Sequence, residues 1–522
     1  MSLARIKPLD AIIATAEKKS LHRSLGAFQL TMLGIGAVIG TGIFVLTATA
    51  AQKAGPGMML SFVVAGLVCA FAALCYSELA SMVPVAGSAY TYSYAVMGEL
   101  MAWLVGWALI LEYALGASAV AVGWSGHMVG FLEGWGLHLP HALTVGPKIE
   151  WGILKGGEIG GLINLPAVLI TALMTWLLVI GTKESATVNA VLVAIKVAAL
   201  SLFVAITLPM VFGHTANFHP FTPRGWGNPL DGSGTGVLGA AASIFFAYVG
   251  FDAVSTAAEE TKNPQRNVPI GLIASLTICT IFYLLVASGV IGSFGAQPLV
   301  DPATGKFFAG GAPELYASAA CQSAHAPVVC SKEALAYIAR EVSNPIFGQL
   351  IALAATFALP SVVLLMMFGQ TRIFFVMARD GLLPGALAAV HPRFKTPWVV
   401  TTITGTVVAV CAAFLPVGTL ADYSNSGTLF AFAVVSLGVM ILRLTDKSRH
   451  RPFRTPLLWL VAPLSIIGCV VLFVSLDRAS QLVFLAWTGI GLLFYFLYGY
   501  HHSNVARGIV EVDGNADMTA IG

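Results

Sequence analysis

Apolar residues collect along this chain into segments about as long as a lipid bilayer is thick, separated by shorter polar stretches. A helix of roughly 20 residues crosses the bilayer core, where it satisfies its own backbone hydrogen bonds. The pattern therefore predicts an all-α polytopic membrane protein with 12 transmembrane helices. Their approximate ranges are 27–50, 58–77, 99–131, 162–181, 187–212, 236–258, 268–293, 346–374, 397–415, 421–443, 457–475 and 482–500.

Composition and charge support this class of protein. Hydrophobic residues make up 57% of the chain and charged residues only 10%, against about 25% charged in soluble domains. If both termini lie on the inner side, the inner segments carry 18 Lys and Arg residues and the outer loops, in which we count Lys53, carry 8. Basic residues favour the cytoplasmic side. We therefore predict an integral plasma (inner) membrane protein with both termini in the cytoplasm.

The first apolar segment contains four glycines within nine positions, from Gly34 to Gly42. Glycines mixed with β-branched residues make a poor helix. A helix that breaks inside the membrane exposes backbone groups that lipid cannot satisfy, so such a break normally lines a cavity or meets a ligand. The glycines predict a substrate site here, with a small-residue packing face between helices as the alternative.

The sixth segment contains a second unusual stretch, Ser243 to Asp252, which carries aromatic residues, a glycine and an acid at membrane depth. Segments one and six are five apart and therefore cross in opposite directions, as an inverted repeat of five-helix units requires. The predicted organisation follows from this repeat. It comprises a cytoplasmic N-terminus at 1–26, a first repeat at 27–212, a second repeat at 236–443 with a long outer loop at 294–345, two further helices within 457–500, and a cytoplasmic tail at 501–522.

Five motifs occur in order along nearly the whole chain, from about residue 20 to 500. They are the glycine-rich first segment, Ser77-Glu-Leu-Ala with Pro84-Val-Ala-Gly-Ser-Ala-Tyr, Phe246-Ala-Tyr-Val-Gly-Phe-Asp, Glu259-Glu-Thr-Lys-Asn-Pro-Gln-Arg-Asn-Val-Pro, and Gly369-Gln-Thr-Arg with Ala378-Arg-Asp-Gly. This set resembles the amino acid–polyamine–organocation (APC) superfamily, in particular its cationic amino acid transporter branch. The resemblance implies a leucine-transporter-like fold and amino acid transport, usually coupled to protons, of cationic or neutral substrates.

The first break can bind both ends of an amino acid zwitterion. Backbone N–H groups at the start of a helix, with its positive dipole end, suit a carboxylate. We predict that the break at Gly40 presents the amides of Thr41, Gly42 and Ile43, together with the Thr41 hydroxyl, to the substrate carboxylate.

The resemblance assigns the ammonium group and the gate. It implies that the carbonyl groups of Val38, Phe246 and Val249 accept from the substrate ammonium. It also implies that the Phe246 ring covers the substrate as a gate.

Three ionisable residues lie deep in the predicted helices: Glu112, Lys196 and Asp252. Facing lipid would be costly for each, so each is expected to face the protein interior. By resemblance, Lys196 occupies the place of a coupling cation and Asp252 belongs to the proton pathway. Glu112 is predicted to face the substrate. A buried structural ion pair is the alternative for each of them.

The eighth segment borders the predicted side-chain end of the pocket. Phe357, Leu359 and Ser361 are expected to narrow that end, which favours small or apolar substrates over arginine. Cys321 and Cys330 lie in one outer loop and form a candidate disulfide, which the sequence leaves open. No zinc-like spacing or nucleic-acid motif is present, and the sequence predicts no cofactor and gives no sign of a partner subunit.

These observations predict a secondary active transporter of L-amino acids that takes up neutral amino acids with protons by alternating access. A carrier of cationic amino acids or polyamines, or an exchanger, is the alternative. A membrane-embedded enzyme is remote, because no nucleophile motif is found and the histidines lie almost entirely in loops and tails. An amino acid sensor stays open, although the short polar tail offers no signalling domain.

Overall fold

The computed structural model describes residues 5–6, 25–82, 88–151, 154–181, 186–256, 261–310, 312–323 and 325–507. These residues are mainly helical, as predicted. The all-α prediction missed a small antiparallel hairpin between β1 (Ile149–Trp151) and β2 (Leu154–Gly156). Two strands of three residues are too short to show a recognisable alternation in the sequence.

The helices of the first half alternate between long continuous ones and short pieces. They are α1 (Ala27–Val38), α2 (Thr41–Phe44), α3 (Leu46–Ala54), α4 (Met58–Met82), α5 (Ser88–Val96), α6 (Glu99–Glu133), α7 (Leu165–Ile180) and α8 (Ala186–Val211). The short pieces α1 to α3 together occupy the first predicted segment.

The second half repeats this alternation after residue 235. Its helices are α9 (Gly236–Ile244), α10 (Ala253–Thr256), α11 (Pro264–Phe294), α12 (Pro313–Tyr316), α13 (Ala334–Val342), α14 (Pro345–Arg379), α15 (Trp398–Phe414), α16 (Val417–Thr445), α17 (Leu458–Val474), α18 (Arg478–Phe494) and α19 (Tyr500–His502). A 3₁₀ turn at Phe245–Tyr248 follows α9 directly.

Within the described residues, seven helical stretches are long and apolar enough to cross a membrane. They are Leu46–Met82, Glu99–Glu133, Ala190–Val211, Pro264–Phe294, Pro345–Arg379, Val417–Thr445 and Arg478–His502. Five further apolar helical stretches are shorter. The chain thus has the architecture of an integral, multi-pass membrane protein.

Two long helices position the short pieces. Helix α6 is buried along most of its length and packs against α14 and α16. Helix α11 packs against α1, α4 and α8. The broken helices are therefore enclosed by protein, which is the environment that irregular backbone at membrane depth needs.

The outer loop contains the disulfide that the sequence left open, between Cys321 and Cys330. Helix α13 follows the disulfide along the chain and packs against α14. The turn Val328–Cys330 packs on α3, and Val328 and Val329 are buried there. The outer loop is therefore attached to the outer half of the first broken helix.

Parts of several predictions lie outside the described residues. Helix α4 continues to Met82, five residues beyond the predicted segment, and α5 follows at Ser88, but the Pro84 to Gly87 part of the connecting motif lies outside them. The same holds for Glu259 and Glu260, for most of the N-terminal 26 residues and for residues 508–522.

Candidate functional site

The first predicted break is present at Ile39 and Gly40. Helix α1 ends at Val38, and Ile39 adopts an extended conformation with ψ of 98°. The first helical hydrogen bond after the break runs from the Phe44 N–H to the Gly40 carbonyl at 3.4 Å. The first amides of a helix have no partner within it. Accordingly, the N–H groups of Gly42 and Ile43 make no backbone hydrogen bond to another described residue.

The side chain of Thr41 lies outside the described part of the chain, so the predicted role of its hydroxyl stays a prediction. The backbone of α2 still presents its N-terminal end to the break. This is the end of a helix that favours a carboxylate.

The second predicted break is present at Val249 and Gly250. Helix α9 ends at Ile244, the 3₁₀ turn follows, and Val249 is extended with ψ of 137°. Gly250 has φ of +110°, a conformation that residues with a side chain rarely adopt. The chain becomes helical again at Ala253. A glycine is thus required at the point where this helix breaks.

The two breaks pack directly against each other. A Cβ atom at Gly42 would collide with the backbone of Ala247, including its nitrogen at 2.9 Å. A Cβ atom at Gly250 would lie 3.0 Å from the carbonyl oxygen of Ala37. Contacts this close leave no room for side chains. The glycines therefore bring the main chains of both broken helices together.

A tyrosine that was not predicted from the sequence joins the two breaks. The hydroxyl oxygen of the buried Tyr283, on α11, lies 2.9 Å from the Val38 carbonyl oxygen and 2.7 Å from that of Ala247. A hydroxyl carries one proton and donates to one of these acceptors at a time. The signal was available, since a tyrosine inside an apolar helix must find a partner for its hydroxyl when buried.

The carbonyl groups predicted to accept hydrogen bonds from the substrate ammonium differ in their surroundings. That of Val38 faces the Tyr283 hydroxyl, and that of Phe246 accepts from the Val249 N–H at 3.2 Å. A carbonyl oxygen has two lone pairs. One contact to the protein thus leaves each oxygen able to accept a second hydrogen bond.

The predicted gate, Phe246, is 4% exposed and lies among uncharged residues. A Cβ atom placed on Gly116 would be 3.5 Å from its ring, 2.9 Å from the Met366 sulfur and 3.4 Å from the Ser424 hydroxyl. One placed on Gly40 would be 3.6 Å from a methyl group of Val362. Apolar groups from α14 therefore lie beside both the break and the gate.

The prediction that Phe357 narrows the pocket is wrong. Its side chain is 63% exposed and lies on the outer surface of α14. Leu359 is buried, and the half-buried Ser361 donates to its own helix at Ala358. Val362 and Met366, further along the same helix, lie on its inner face instead. An error of about half a helical turn in rotation explains the difference.

Lys196 reaches the first broken helix from α8. Its ammonium nitrogen donates to the Gly36 carbonyl at 2.7 Å, and the side chain is buried. Gly36 lies two residues before the end of α1. The structure thus places a cationic group against the helix just before its break.

Asp252, at the second break, and Glu112, on α6, approach the same region. The Tyr113 hydroxyl donates to the Asp252 carboxylate at 3.2 Å. Both carboxyl oxygens of Glu112 are buried without a hydrogen bond to any described residue, although the Thr428 hydroxyl faces this carboxyl. A buried carboxyl with so few polar contacts is unusual and marks a candidate for binding or proton transfer.

A buried ion pair joins the first broken helix to α16, on the side of the predicted outer loop. Lys53, on α3, binds Asp422 of α16 at 2.8 Å and also donates to Ser243 of α9. The Asn425 amide donates to the carbonyls of Ala242 and Ser243, each at 2.8 Å. The outer halves of both broken helices are therefore attached to α16.

The prediction that Lys53 is a cation of an outer loop is wrong. The side chain is only 6% exposed, because α3 continues through it to Ala54. Asp422 was missed altogether. It lies near the start of an apolar helix, where an acid also fits a water-exposed end, so the sequence alone did not indicate its burial.

Asp422→Asn is expected to open the outer side, because the substitution leaves the Lys53 ammonium buried without its counter-ion. The measurement is the labelling rate of Thr49→Cys, a buried position on α3, by a membrane-impermeant thiol reagent. We expect labelling to be faster by about 10-fold or more. Asp301→Asn, in an exposed outer loop, is the control. Equal rates in the Asp422→Asn variant and its parent would contradict this expectation.

Comparison with known proteins adds the family. The model of the amino acid permease family matches residues 25–495. The chain belongs to this family. The resemblance inferred from the five motifs is thereby confirmed, and the family consists of transporters rather than enzymes.

Three relatives named for different substrates are similar to this permease over most of its length. The branched-chain amino acid permease BcaP of Bacillus subtilis is 46% identical over 496 residues, covering 95% of this chain and 97% of the relative. The methylthioribose transporter of the same organism is 41% identical over 505 residues, 96% of this chain and 99% of the relative. The vacuolar cationic amino acid transporter 2 of Arabidopsis thaliana is 35% identical over 450 residues, which cover 85% of this chain and 63% of the relative.

Proposed function

We propose that this permease takes up neutral, apolar L-amino acids, branched-chain ones in particular, together with protons. The observation that carries the proposal is the contact between two helix breaks, one of which presents the N–H groups of Gly42 and Ile43. The similarity to a branched-chain amino acid permease supports the substrate class.

The substrate backbone binds at the breaks. Its carboxylate accepts from the α2 amides, where the helix dipole adds to the hydrogen bonds. Its ammonium donates to the carbonyl groups of Val38, Phe246 and Val249, of which the first two each make one contact to the protein and keep a second lone pair. The same few atoms thus recognise every α-amino acid, which leaves selection to the side-chain pocket.

The side-chain pocket is formed by Val362 and Met366 beside the Phe246 ring. These apolar groups favour aliphatic side chains through burial of surface, worth about 0.8 kcal/mol per methylene group. A guanidinium or ammonium side chain needs a carboxylate instead. Glu112, four residues before Gly116 on α6, is the acid that would serve the alternative function of a cationic carrier.

The twelve-helix topology is also part of the proposal. The seven long and five shorter apolar stretches overlap the twelve predicted segments, with Leu46–Met82 covering both the end of the first segment and all of the second, and this overlap supports the count. With α1 to α3 as the first crossing and α9 to α10 as the sixth, the repeats are 27–212 and 236–443, and 457–500 lies outside them. The excess of basic residues in the inner segments supports cytoplasmic termini.

Proton coupling is assigned to Lys196 and Asp252. Lys196 holds Gly36 next to the first break, and Asp252 lies at the second break with Tyr113 as its donor. A change of charge at either group alters the energy of the adjacent break. Protonation thereby biases the population of outward- and inward-facing states, which is the requirement for coupled transport.

Uptake into proteoliposomes tests the proposal. Labelled leucine, alanine, arginine and methylthioribose are supplied with and without an inward proton gradient. We expect accumulation of leucine that is driven by the gradient and lost on adding a protonophore, with arginine at background.

Other outcomes separate the alternatives. Arginine accumulation would identify a cationic carrier, and methylthioribose accumulation without leucine would refute the amino acid assignment. Uptake that ignores the gradient but requires an internal amino acid would indicate exchange. Leucine binding without uptake under any of these conditions would indicate a sensor.

A further inference from the structure

A cleft of 660 Å³ lies away from the helix breaks, between the start of α11 and the connection from α16 to α17. Its walls are mainly apolar. The principal lining residues are Arg266, Pro269, Ile270, Ile273, Ala274 and Phe453. Ile270 is 41% exposed, and the same face of α11 continues to the 55% exposed Ile281. In a membrane protein, such an exposed apolar helix face contacts lipid chains.

The wall that Phe453 forms is firmly held. The Phe453 N–H donates to the Ser81 hydroxyl at 3.3 Å, and the Thr455 N–H donates to Glu78 at 2.8 Å. Thr455 also donates through its hydroxyl to the Leu74 carbonyl at 2.9 Å. This connection is therefore fixed to α4, which holds one wall of the cleft in place.

The mouth of the cleft is positively charged. Residues 259–266 and 446–454 contain six Lys and Arg residues against three acids, Glu259, Glu260 and Asp446, of which the two glutamates lie outside the described residues. Two of the six are paired with acids, since Arg449 binds Asp446 at 2.7 Å and the buried Arg451 lies 3.4 Å from Glu78. The four exposed ones are Lys262, Arg266, Lys447 and Arg454.

Arg266 is the cation that lines the cleft itself. Its side chain makes no hydrogen bond or ion pair with another residue in the described ranges. Ile270 follows one helical turn later, so the charged and apolar parts of the cleft succeed each other over about 6 Å along α11. Trp459, 59% exposed at the start of α17, is a side chain typical of the membrane–water interface.

We propose that this cleft binds one anionic phospholipid. Its phosphate pairs with Arg266, flanked by Lys262 and Arg454, and one acyl chain lies against Ile270, Ile273 and Phe453. Basic pockets between membrane helices on the cytoplasmic side bind anionic head groups in this way. A lipid with net negative charge is favoured over a zwitterionic one, because four exposed cations lie at the mouth and the described acid beside them, Asp446, already pairs with Arg449.

The test uses the purified full-length permease and phosphatidylglycerol with a photoreactive acyl chain. Native mass spectrometry counts the retained lipid, and peptide mapping locates the cross-link. We expect one phosphatidylglycerol per chain, cross-linked to α11 or to the Phe453 peptide. Arg266→Gln is expected to weaken binding by about 5-fold or more, and Ala274→Trp to weaken it by filling the cleft.

Arg393→Gln, an exposed arginine of another inner connection, is the matched control and is expected to bind normally. Equal competition by phosphatidylcholine or by inorganic phosphate would overturn the proposal. So would unchanged binding in both cleft variants, or a cross-link elsewhere on the surface. A cross-link from the Ile270→Cys variant to the N-terminal residues 7–24 would also overturn it, because the chain itself would then cover the cleft.

Discussion

The Lys196→Met variant is expected to lose proton-driven leucine uptake, with the initial rate reduced by about 100-fold. Methionine keeps an unbranched apolar side chain of similar length, so the packing of α8 is largely preserved. What disappears is the cation and its 2.7 Å hydrogen bond to the Gly36 carbonyl. That carbonyl then lies next to the break without its charged partner.

The measurement compares gradient-driven uptake with exchange of internal for external leucine in the same proteoliposomes. Loss of the first with retention of the second locates the defect in coupling rather than in binding. The Asp252→Asn variant is likewise expected to lose gradient-driven uptake and to retain exchange. Lys306→Met, in an exposed outer loop, is the control. Full gradient-driven uptake by both the Lys196→Met and Asp252→Asn variants would refute the coupling assignment.

The Gly42→Ala variant is expected to lose leucine uptake by about 100-fold, because displacement of a binding site by about 1 Å has effects of this size. The added methyl group would occupy the position of the Ala247 main chain. The two breaks must then separate, and the amides of α2 move away from the second helix. Shortening the Ala247 side chain to glycine is not expected to restore uptake, since the collision also involves backbone atoms.

Gly489→Ala is the matched control, since a Cβ atom there meets nothing within 4 Å. Leucine binding to the purified variants is measured beside uptake, and gel filtration checks that each variant is folded. A folded Gly42→Ala protein with normal binding and uptake would show that the close contact of the breaks is unnecessary.

The sequence was sufficient to locate the helices and both breaks. The predicted segment 99–131 agrees closely with α6, which spans Glu99–Glu133. The agreement is close because apolar length and flanking polar residues define a membrane helix well. The breaks were visible since glycine has a specific physical effect on the backbone. The φ of Gly250 and the space at Gly42 are both conditions that only glycine meets easily.

The rotation of each helix could not be predicted in the same way. In a soluble protein the apolar face of a helix marks the core, but α14 is apolar on the side facing lipid and on the side facing protein. Phe357 and Met366 therefore look alike in sequence, although one is exposed and the other buried. Pairs distant in sequence, such as Lys53 with Asp422, depend on these rotations and were missed for the same reason.

Tyr283 has a consequence for conformational change. Its hydroxyl lies within hydrogen-bond distance of one carbonyl on each broken helix but has a single proton to donate. When the helices move apart, the hydroxyl keeps whichever acceptor stays near, and the number of hydrogen bonds that it donates is unchanged. In the alternating-access cycle proposed above, the helices can therefore separate at this joint while the tyrosine keeps one donated hydrogen bond throughout.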